Sequence, residues 1–160
     1  ENALRAYAAG DRYSGIMDPL VAGLDETMIQ ELAEYYAQLR PADTEAAAGS
    51  SDERTPTASL DSEIELGRRI ALEGLPSQRI PACVECHGPA GRRTKPAYPS
   101  LAGQPADYLV LQLDLFKKHK RGGSEYAHLM EEIAPRLTSE QMRAVARYFE
   151  SLEMAAESPP

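Results

Sequence analysis

The segment Cys83–His87, with the sequence CVECH, constrains this chain of 160 residues more than any other. Two cysteines separated by two residues and followed directly by histidine form the C-x-x-C-H pattern, which is the attachment motif of c-type haem. In that chemistry the two thiols become thioethers with the two vinyl groups of one porphyrin, and the histidine binds the iron. The chain has two cysteines in all, so none is left for a disulfide framework.

Two other interpretations explain part of the motif. A thioredoxin-like C-x-x-C redox pair does not need the following histidine and would need a βαβ context, which the sequence does not indicate. Half of a zinc site would need a second pair of ligands, but His119 and His128 are distant from the motif and lack paired spacing. Haem attachment is the interpretation that uses all three residues.

The length of the chain is that of one ordinary domain or two small ones. No apolar run approaches the roughly 20 residues that a membrane-spanning helix needs. No signal peptide is evident and the first residue is Glu1 instead of methionine, so we interpret the chain as processed or truncated. Because covalent haem attachment is an extracytoplasmic maturation, the expected location is the bacterial periplasm or the outer face of the cytoplasmic membrane.

Charge is unevenly distributed along the chain. The formal net charge is −8, yet residues 61–152 carry 13 basic and 12 acidic side chains, so the region around the motif is almost neutral. Two basic runs, Arg92–Lys95 and Lys117–Arg121, lie in this region. We interpret them as a solvated loop and a solvated helix end; a docking role would add weak, salt-sensitive steering toward a partner. The pattern does not indicate nucleic acid.

Helical signals surround the motif, and no segment predicts a strand. A helix is expected from Asp61 or Ser62, either of which could cap it, to about Glu73. After the motif, residues 88–103 are rich in glycine and proline and predict a loop. The domain is therefore expected to be helical.

Two further helices are predicted after that loop. One begins near Pro105 and runs to about Arg121, where the glycine pair at 122–123 would stop it. A loop bearing Met130 follows. Thr138 and Gln141 then form a capping-box signature for a last helix that ends near residue 152.

Residues 41–60 predict a flexible acidic linker, because they are small, polar and acidic and have no periodic apolar face. The linker separates residues 1–40 from residues 61–152, and residues 153–160 form a tail.

The segment before the linker repeats the end of the segment after it. Residues 24–39 align with residues 137–152 without a gap. The same offset also aligns Met17 with Met130 and Tyr13 with Tyr126. Internal similarity of this kind indicates duplicated domains. The first copy lacks a first helix, a C-x-x-C-H motif and a haem loop.

Residues 61–152 resemble a class I c-type cytochrome, and specifically one domain of the di-haem cytochrome c4 family. The resemblance rests on Leu66-Gly67, the motif Cys83–Gly88, Tyr98–Gln104, Tyr108–Phe116, Met130 and Val145–Phe149. Residues 1–40 resemble the C-terminal half of the first domain of that family. The resemblance implies an all-α class I cytochrome c fold with covalently bound haem, preceded by a partial repeat of the same fold.

The resemblance also implies the ligands of the haem. Cys83 and Cys86 would hold it covalently, and His87 and Met130 would be the axial ligands of its iron. One haem c is expected on this chain. A second is possible in an intact di-haem protein, where Met17 would be an axial ligand if a segment not present here supplied that haem.

Further roles follow from the same resemblance. The carbonyl of Pro99 would accept a hydrogen bond from the Nδ1–H of His87, and Leu101 would pack on the porphyrin. Gly67 would let the first helix of the domain cross closely over Tyr148 of the last.

Other sulfur and nitrogen ligands remain as alternatives to Met130. His128 is the nearest rival, although an exposed histidine is the simpler interpretation. Met28 falls on a predicted helix, and Met142 and Met154 lie in or beyond the last helix, where packing or exposure is expected.

A histidine–methionine pair saturates the iron, which leaves no position for substrate and favours one-electron transfer. We therefore expect a periplasmic electron carrier and not an enzyme. Its partners would be redox proteins, with a dehydrogenase or respiratory complex as donor and an oxidase or reductase as acceptor. The alternative is a haem subunit or domain that relays electrons within a larger respiratory or dehydrogenase complex. A haem sensor or peroxidase would instead need a vacant sixth position.

Overall fold

The computed structural model describes residues 1–39, 58–92, 95 and 97–152. The chain divides into two compact units, and the division between Thr55 and Pro56 falls outside the described residues. Within the described ranges the secondary structure is helical, without a strand; Leu75 and Ile80 form an isolated bridge. None of the described helices is both long enough and apolar enough to cross a membrane.

The described residues of the first unit form α1 (Asn2–Ala8), α2 (Met17–Val21) and α3 (Glu26–Gln38). Asp25 caps α3, because its side chain accepts a hydrogen bond of 2.8 Å from the backbone N–H of Met28. Arg5 pairs with Glu26 and thereby links α1 to α3. Few apolar side chains of these helices are buried, namely Ala6, Val21 and Ile29.

The apolar face of α3 is exposed where the equivalent face in the second unit is buried. At the offset of the repeat, Tyr36 corresponds to Phe149; Tyr36 is 66% exposed and Phe149 is 2% exposed. Leu32 and Tyr35 are exposed in the same way. The first unit therefore presents apolar side chains that lack the cover their counterparts have in the second.

The second unit contains α4 (Ala58–Glu73), α5 (Cys83–His87), α6 (Ala106–Lys117), α7 (Ala127–Ile133) and α8 (Ser139–Ser151). Short 3₁₀ turns at Pro76–Gln78, Pro89–Gly91 and Ala134–Arg136 connect them. The core of this unit lies where α4 and α6 pack on α8. It consists of Ile70, Ala71, Ile80, Ala106, Leu109, Leu137, Met142, Val145, Ala146, Tyr148 and Phe149.

The capping box predicted for α8 is present. The backbone N–H of Gln141 donates to Thr138 Oγ1 at 3.2 Å, and the backbone N–H of Thr138 donates to Gln141 Oε1 at 2.9 Å. Glu150 near the end of α8 accepts a hydrogen bond of 2.8 Å from the backbone N–H of Ala106, the first residue of α6. Side chains thus satisfy backbone donors at the start of both helices.

The helix before the motif starts earlier than the sequence predicts. It begins at Ala58, so Asp61 lies in its first turn and is not a cap. Alanine and leucine are good helix formers and extend the helix toward its N-terminus, where the carboxylate of Asp61 suits the helix dipole. Residues 58–60 therefore do not belong to the predicted linker. The rest of that linker and the tail at 153–160 lie outside the described residues.

The end of α6 also differs from the prediction. The helix stops at Lys117, and His119 adopts the left-handed conformation with φ of 52°. The N–H of Lys120 donates to Leu115 O at 2.8 Å and the N–H of His119 donates to Phe116 O at 3.0 Å. These two bonds form a Schellman motif, which usually has glycine where His119 lies. The glycine pair at 122–123 lies beyond this end.

We expect His119→Gly to raise the free energy of unfolding by about 0.5–1 kcal/mol, because glycine adopts positive φ without steric cost. The contact between His119 Nδ1 and Glu131 Oε2, which are 3.7 Å apart, would be lost, but it contributes little to the free energy of unfolding because the His119 side chain is exposed. Denaturant unfolding measures the change. As a control, Leu111→Gly, at an exposed position inside α6, should lower stability by about 1 kcal/mol. If His119→Gly lowered the free energy of unfolding by a similar amount, the prediction would be contradicted.

Candidate haem-binding site

The C-x-x-C-H motif forms the short helix α5. The preceding residue, Ala82, is extended, and Gly88 ends the helix with a positive φ of 82°. Because Cys83 and Cys86 are three residues apart on a helix, their side chains lie on the same face. His87, in the last turn, is buried.

The tautomer of His87 follows from its hydrogen bond. His87 Nδ1 lies 2.9 Å from the carbonyl oxygen of Pro99. A carbonyl only accepts hydrogen bonds, so Nδ1 carries the proton and the lone pair is on Nε2. Burial lowers the pKa of His87, which favours the neutral ring. A neutral imidazole with one nitrogen held by a carbonyl is the arrangement of a metal-binding histidine.

The loop that carries Pro99 is anchored by Gly91. The carbonyl oxygen of Gly91 accepts hydrogen bonds from the backbone N–H of Leu101 at 2.7 Å and of Ala102 at 3.2 Å. A Cβ atom on Gly91, whose φ is 70°, would lie 2.6 Å from Cδ1 of Phe149 on α8. The loop therefore packs closely on the last helix, and glycine is needed at the contact.

A large apolar cavity lies beside α5. The empty space within it, including the part open to solvent, is about 1360 Å³. Cys83, Cys86 and His87 line this cavity, and Met130 from α7 lines it as well. Other apolar side chains of the lining include Leu101, Leu109, Leu113, Phe116 and Ile133.

The structure brings together the site residues predicted for the second unit. Pro99 and Leu101 line the same cavity as the motif and Met130. Met130 is half-buried and lies on α7, not in a loop as the sequence predicts. The cluster of Phe116, Ala127 and Ala134, on which Met130 packs, holds this short helix against α6.

The alternative ligands lie elsewhere. His128 is exposed and does not contribute to the cavity, and Met142 is buried in the core. Met28 is exposed on α3, and Met154 lies outside the described residues. Met17 is half-buried at the start of α2 in the first unit.

The environment of Cys83 does not match that of a reactive thiol. Burial raises the pKa of the Cys83 thiol to about 11, whereas catalytic cysteines have a lowered pKa. Among the described residues, no group of three or more His, Cys, Asp or Glu side chains is placed to hold a metal ion. The raised pKa of the Cys83 thiol and the apolar cavity beside it thus favour haem attachment over a redox pair. An apolar cavity with two cysteines and a neutral histidine on its lining fits a porphyrin.

The sequence analysis assigned no site role to several polar or aromatic side chains of the lining, among them Tyr98, Gln112, Arg121 and Tyr126. Arg121 belongs to the basic run interpreted as a solvated helix end, yet it is half-buried, with its guanidinium carbon 4.6 Å from the centroid of Phe116. The turn at His119 sends the chain back toward the cavity. For Tyr126 a signal did exist, since the repeat pairs it with Tyr13.

Comparison with known proteins identifies the family. The family model described as cytochrome c matches residues 64–153, more than half of the chain. The chain belongs to the cytochrome c family. A cytochrome c domain implies covalently bound haem c, in agreement with the motif and the cavity. The predicted class I cytochrome c fold is confirmed for the second unit.

Relatives and solved structures extend the similarity to both units. The thiosulfate dehydrogenase electron acceptor of Thiomonas intermedia (strain K12) is 34% identical over 145 residues, which are 91% of this chain and 62% of that protein. The cytochrome c4 structure from Acidithiobacillus ferrooxidans matches with a TM-score of 0.71 and 32% identity, over 94% of this chain and 81% of that one. The thiosulfate dehydrogenase structure from Marichromatium purpuratum matches with a TM-score of 0.74 and 33% identity, over 94% of this chain and 30% of that one.

The similarity to cytochrome c4 that the sequence predicts is thereby confirmed. This chain spans about three fifths of the length of the curated relative from Thiomonas.

Proposed function

We propose that this protein is a one-electron carrier with a six-coordinate haem c. The observation that carries the proposal is the shared cavity onto which the C-x-x-C-H motif and Met130 both open. Cys83 and Cys86 would hold the haem covalently, and His87 and Met130 would be its axial ligands. When bound, a haem with this ligand pair supplies a one-electron couple between Fe(II) and Fe(III).

The residues around the cavity suit this role in three ways. The carbonyl of Pro99 orients the His87 ring and makes it a stronger ligand. Leu101 and its apolar neighbours exclude water and lower the local dielectric, which tunes the potential. Arg121 is the one cation among the described lining residues, and we propose that it faces the carboxylates of the haem.

The proposed pair of axial ligands favours electron transfer and leaves no room for catalysis at the iron. With His87 and Met130 bound, no position stays open for a substrate, so we propose that the chain is not an enzyme by itself. The proposed location is the periplasm or the outer face of the bacterial cytoplasmic membrane, because haem c is attached there. The proposed partners are a donor dehydrogenase or respiratory complex and an acceptor oxidase or reductase.

A second candidate function is a relay within an enzyme complex. The relative from Thiomonas is an electron acceptor of thiosulfate dehydrogenase. The matching part of the Marichromatium structure is 30% of a thiosulfate dehydrogenase chain. We therefore propose a dehydrogenase that oxidises thiosulfate as one donor to test. Rapid reduction of the purified protein by such an enzyme and thiosulfate would favour the relay over a general carrier.

We propose that residues 1–40, in the first unit, are the C-terminal half of a first cytochrome c domain, which precedes the complete domain at residues 61–152. The exposed apolar residues of α3, at positions that are buried in α8, support this assignment. Met17 would bind the iron of a second haem only where a segment with its own C-x-x-C-H motif completes the unit.

The number of haems and the closure of the iron site provide the direct test. A pyridine haemochrome assay with an intact mass should give one covalently attached haem for each copy of this chain. The reduced protein should bind carbon monoxide weakly, because Met130 fills the sixth position. Strong binding of carbon monoxide by the native protein would contradict the proposal and would favour a sensor or a peroxidase.

A further inference from the structure

Two tyrosines from separate segments stack at the wall of the haem cavity. The rings of Tyr98 and Tyr126 have centroids 5.3 Å apart and an interplanar angle of 22°. Both side chains are half-buried and line the cavity. Stacked aromatic pairs stabilise contacts beyond the area that they bury, so this pair joins its two segments.

Tyr98 belongs to the segment that supports the histidine ligand. It directly precedes Pro99, whose carbonyl oxygen lies 2.9 Å from His87 Nδ1. Its ring also meets the imidazole of His87 edge-on, with centroids 6.2 Å apart and an interplanar angle of 67°. A displacement of Tyr98 would therefore disturb the hydrogen bond between Pro99 and His87 and shift the imidazole ring of His87.

Tyr126 belongs to the segment that carries the methionine ligand. It is the N-cap residue of α7, and Met130 follows one turn later. The helix has seven residues, and its N-cap side chain makes no hydrogen bond with it. So short a helix is not stable by itself, and its position depends on packing. The stack on Tyr98 supplies such packing at its first turn.

We propose that the Tyr98–Tyr126 stack is a clamp. It holds the segments that carry the two proposed axial ligands, His87 and Met130, in fixed positions relative to each other. The two tyrosines are positioning residues, because they act through His87 and Met130. The inference rests on the proposed ligation by this pair. With the clamp intact, the iron–sulfur bond would open less often, and the carrier would change oxidation state with little rearrangement.

The internal repeat gives independent support. Tyr13 precedes Met17 by four residues, as Tyr126 precedes Met130. Met17 lies at the start of the short helix α2, where its backbone N–H donates to Ser14 Oγ at 3.1 Å. A tyrosine one turn before the methionine is thus present in both copies.

The clamp is tested by how often the iron–sulfur bond opens in the haem-loaded protein. At saturating imidazole, the limiting rate at which imidazole replaces the methionine of the oxidised protein measures this opening. We expect Tyr98→Leu and Tyr126→Leu each to raise that rate about threefold to tenfold, the range that an aromatic pair contributes. The double variant should exceed either single variant only slightly, because each change already breaks the stack.

Matched variants separate the clamp from a general loosening of the cavity wall. Tyr126→Phe keeps the stacked ring and should exchange at the rate of the unaltered protein. Tyr35→Leu makes the same change at an exposed tyrosine of α3 that does not line the cavity, and it should also leave the exchange rate unchanged. Thermal unfolding followed by circular dichroism checks that each variant is folded; if one leucine variant is not, the other decides.

Two results would overturn the clamp alone. One is an unchanged limiting rate of imidazole binding in both leucine variants; the other is a rate in the double variant that combines the full effects of both single changes. Absence of an iron–sulfur band in the unaltered protein would overturn the ligation by methionine, and the clamp with it. Either of the first two results would leave the proposed electron carrier unaffected. Failure of the clamp is therefore distinguishable from failure of the proposed methionine ligation.

Discussion

Replacing Met130 with alanine is expected to abolish the weak far-red absorption band of the oxidised protein, which is the signature of an iron–sulfur bond. The reduction potential should fall by about 0.1–0.2 V, a part of the roughly 0.8 V range that axial ligands control. The physical reason is that a soft thioether stabilises Fe(II), and its loss favours Fe(III). Absorption spectroscopy and potentiometric titration measure the two effects.

Met17→Ala is the matched control for this prediction. Met17 follows a tyrosine by four residues, as Met130 does, but it belongs to the unit without a C-x-x-C-H motif. The band, the potential and the haem content should therefore not change. A band that persists in Met130→Ala would show that another residue is the ligand, and a combined change of His128 would then test the nearest rival.

The parts of the site that could be predicted from the residues are those that are local in sequence. The motif at residues 83–87 forms one short helix, so its two thiols and its histidine are brought together by backbone geometry alone. The capping box of α8 is local in the same sense. By contrast, the contact between His87 and Pro99 crosses a loop of irregular structure, and only the family resemblance indicated it.

Other features could not be predicted, because tertiary contacts decide them. The end of α6 depends on a histidine in a left-handed conformation, which propensity assigns to glycine. Arg121 looked like a solvated charge because the sequence does not show that the chain turns back toward the cavity. The stack of Tyr98 on Tyr126 joins residues 28 positions apart, and no local pattern encodes it.

The crossing of α4 and α8 was expected from the resemblance, and its geometry leads to a prediction. A Cβ atom on Gly67 would overlap the carbonyl oxygen of Ala144 and lie 2.9 Å from Cβ of Tyr148. The obstacle is mainly backbone, so a rotamer change cannot relieve it, and the helices would have to move apart. We expect Gly67→Ala to lower the free energy of unfolding by about 3 kcal/mol or more.

A loss of that size is a large part of the roughly 5–15 kcal/mol that stabilises a typical domain. Denaturant unfolding of the haem-loaded protein, followed by circular dichroism, measures it, and a poor yield of folded protein would be its extreme form. Gly23→Ala is the control, because a Cβ atom there meets nothing within 4 Å and the backbone does not need glycine. Gly23→Ala should change the free energy of unfolding by no more than about 0.5 kcal/mol. Equal stability of the two variants would mean that α4 and α8 do not cross as closely as described.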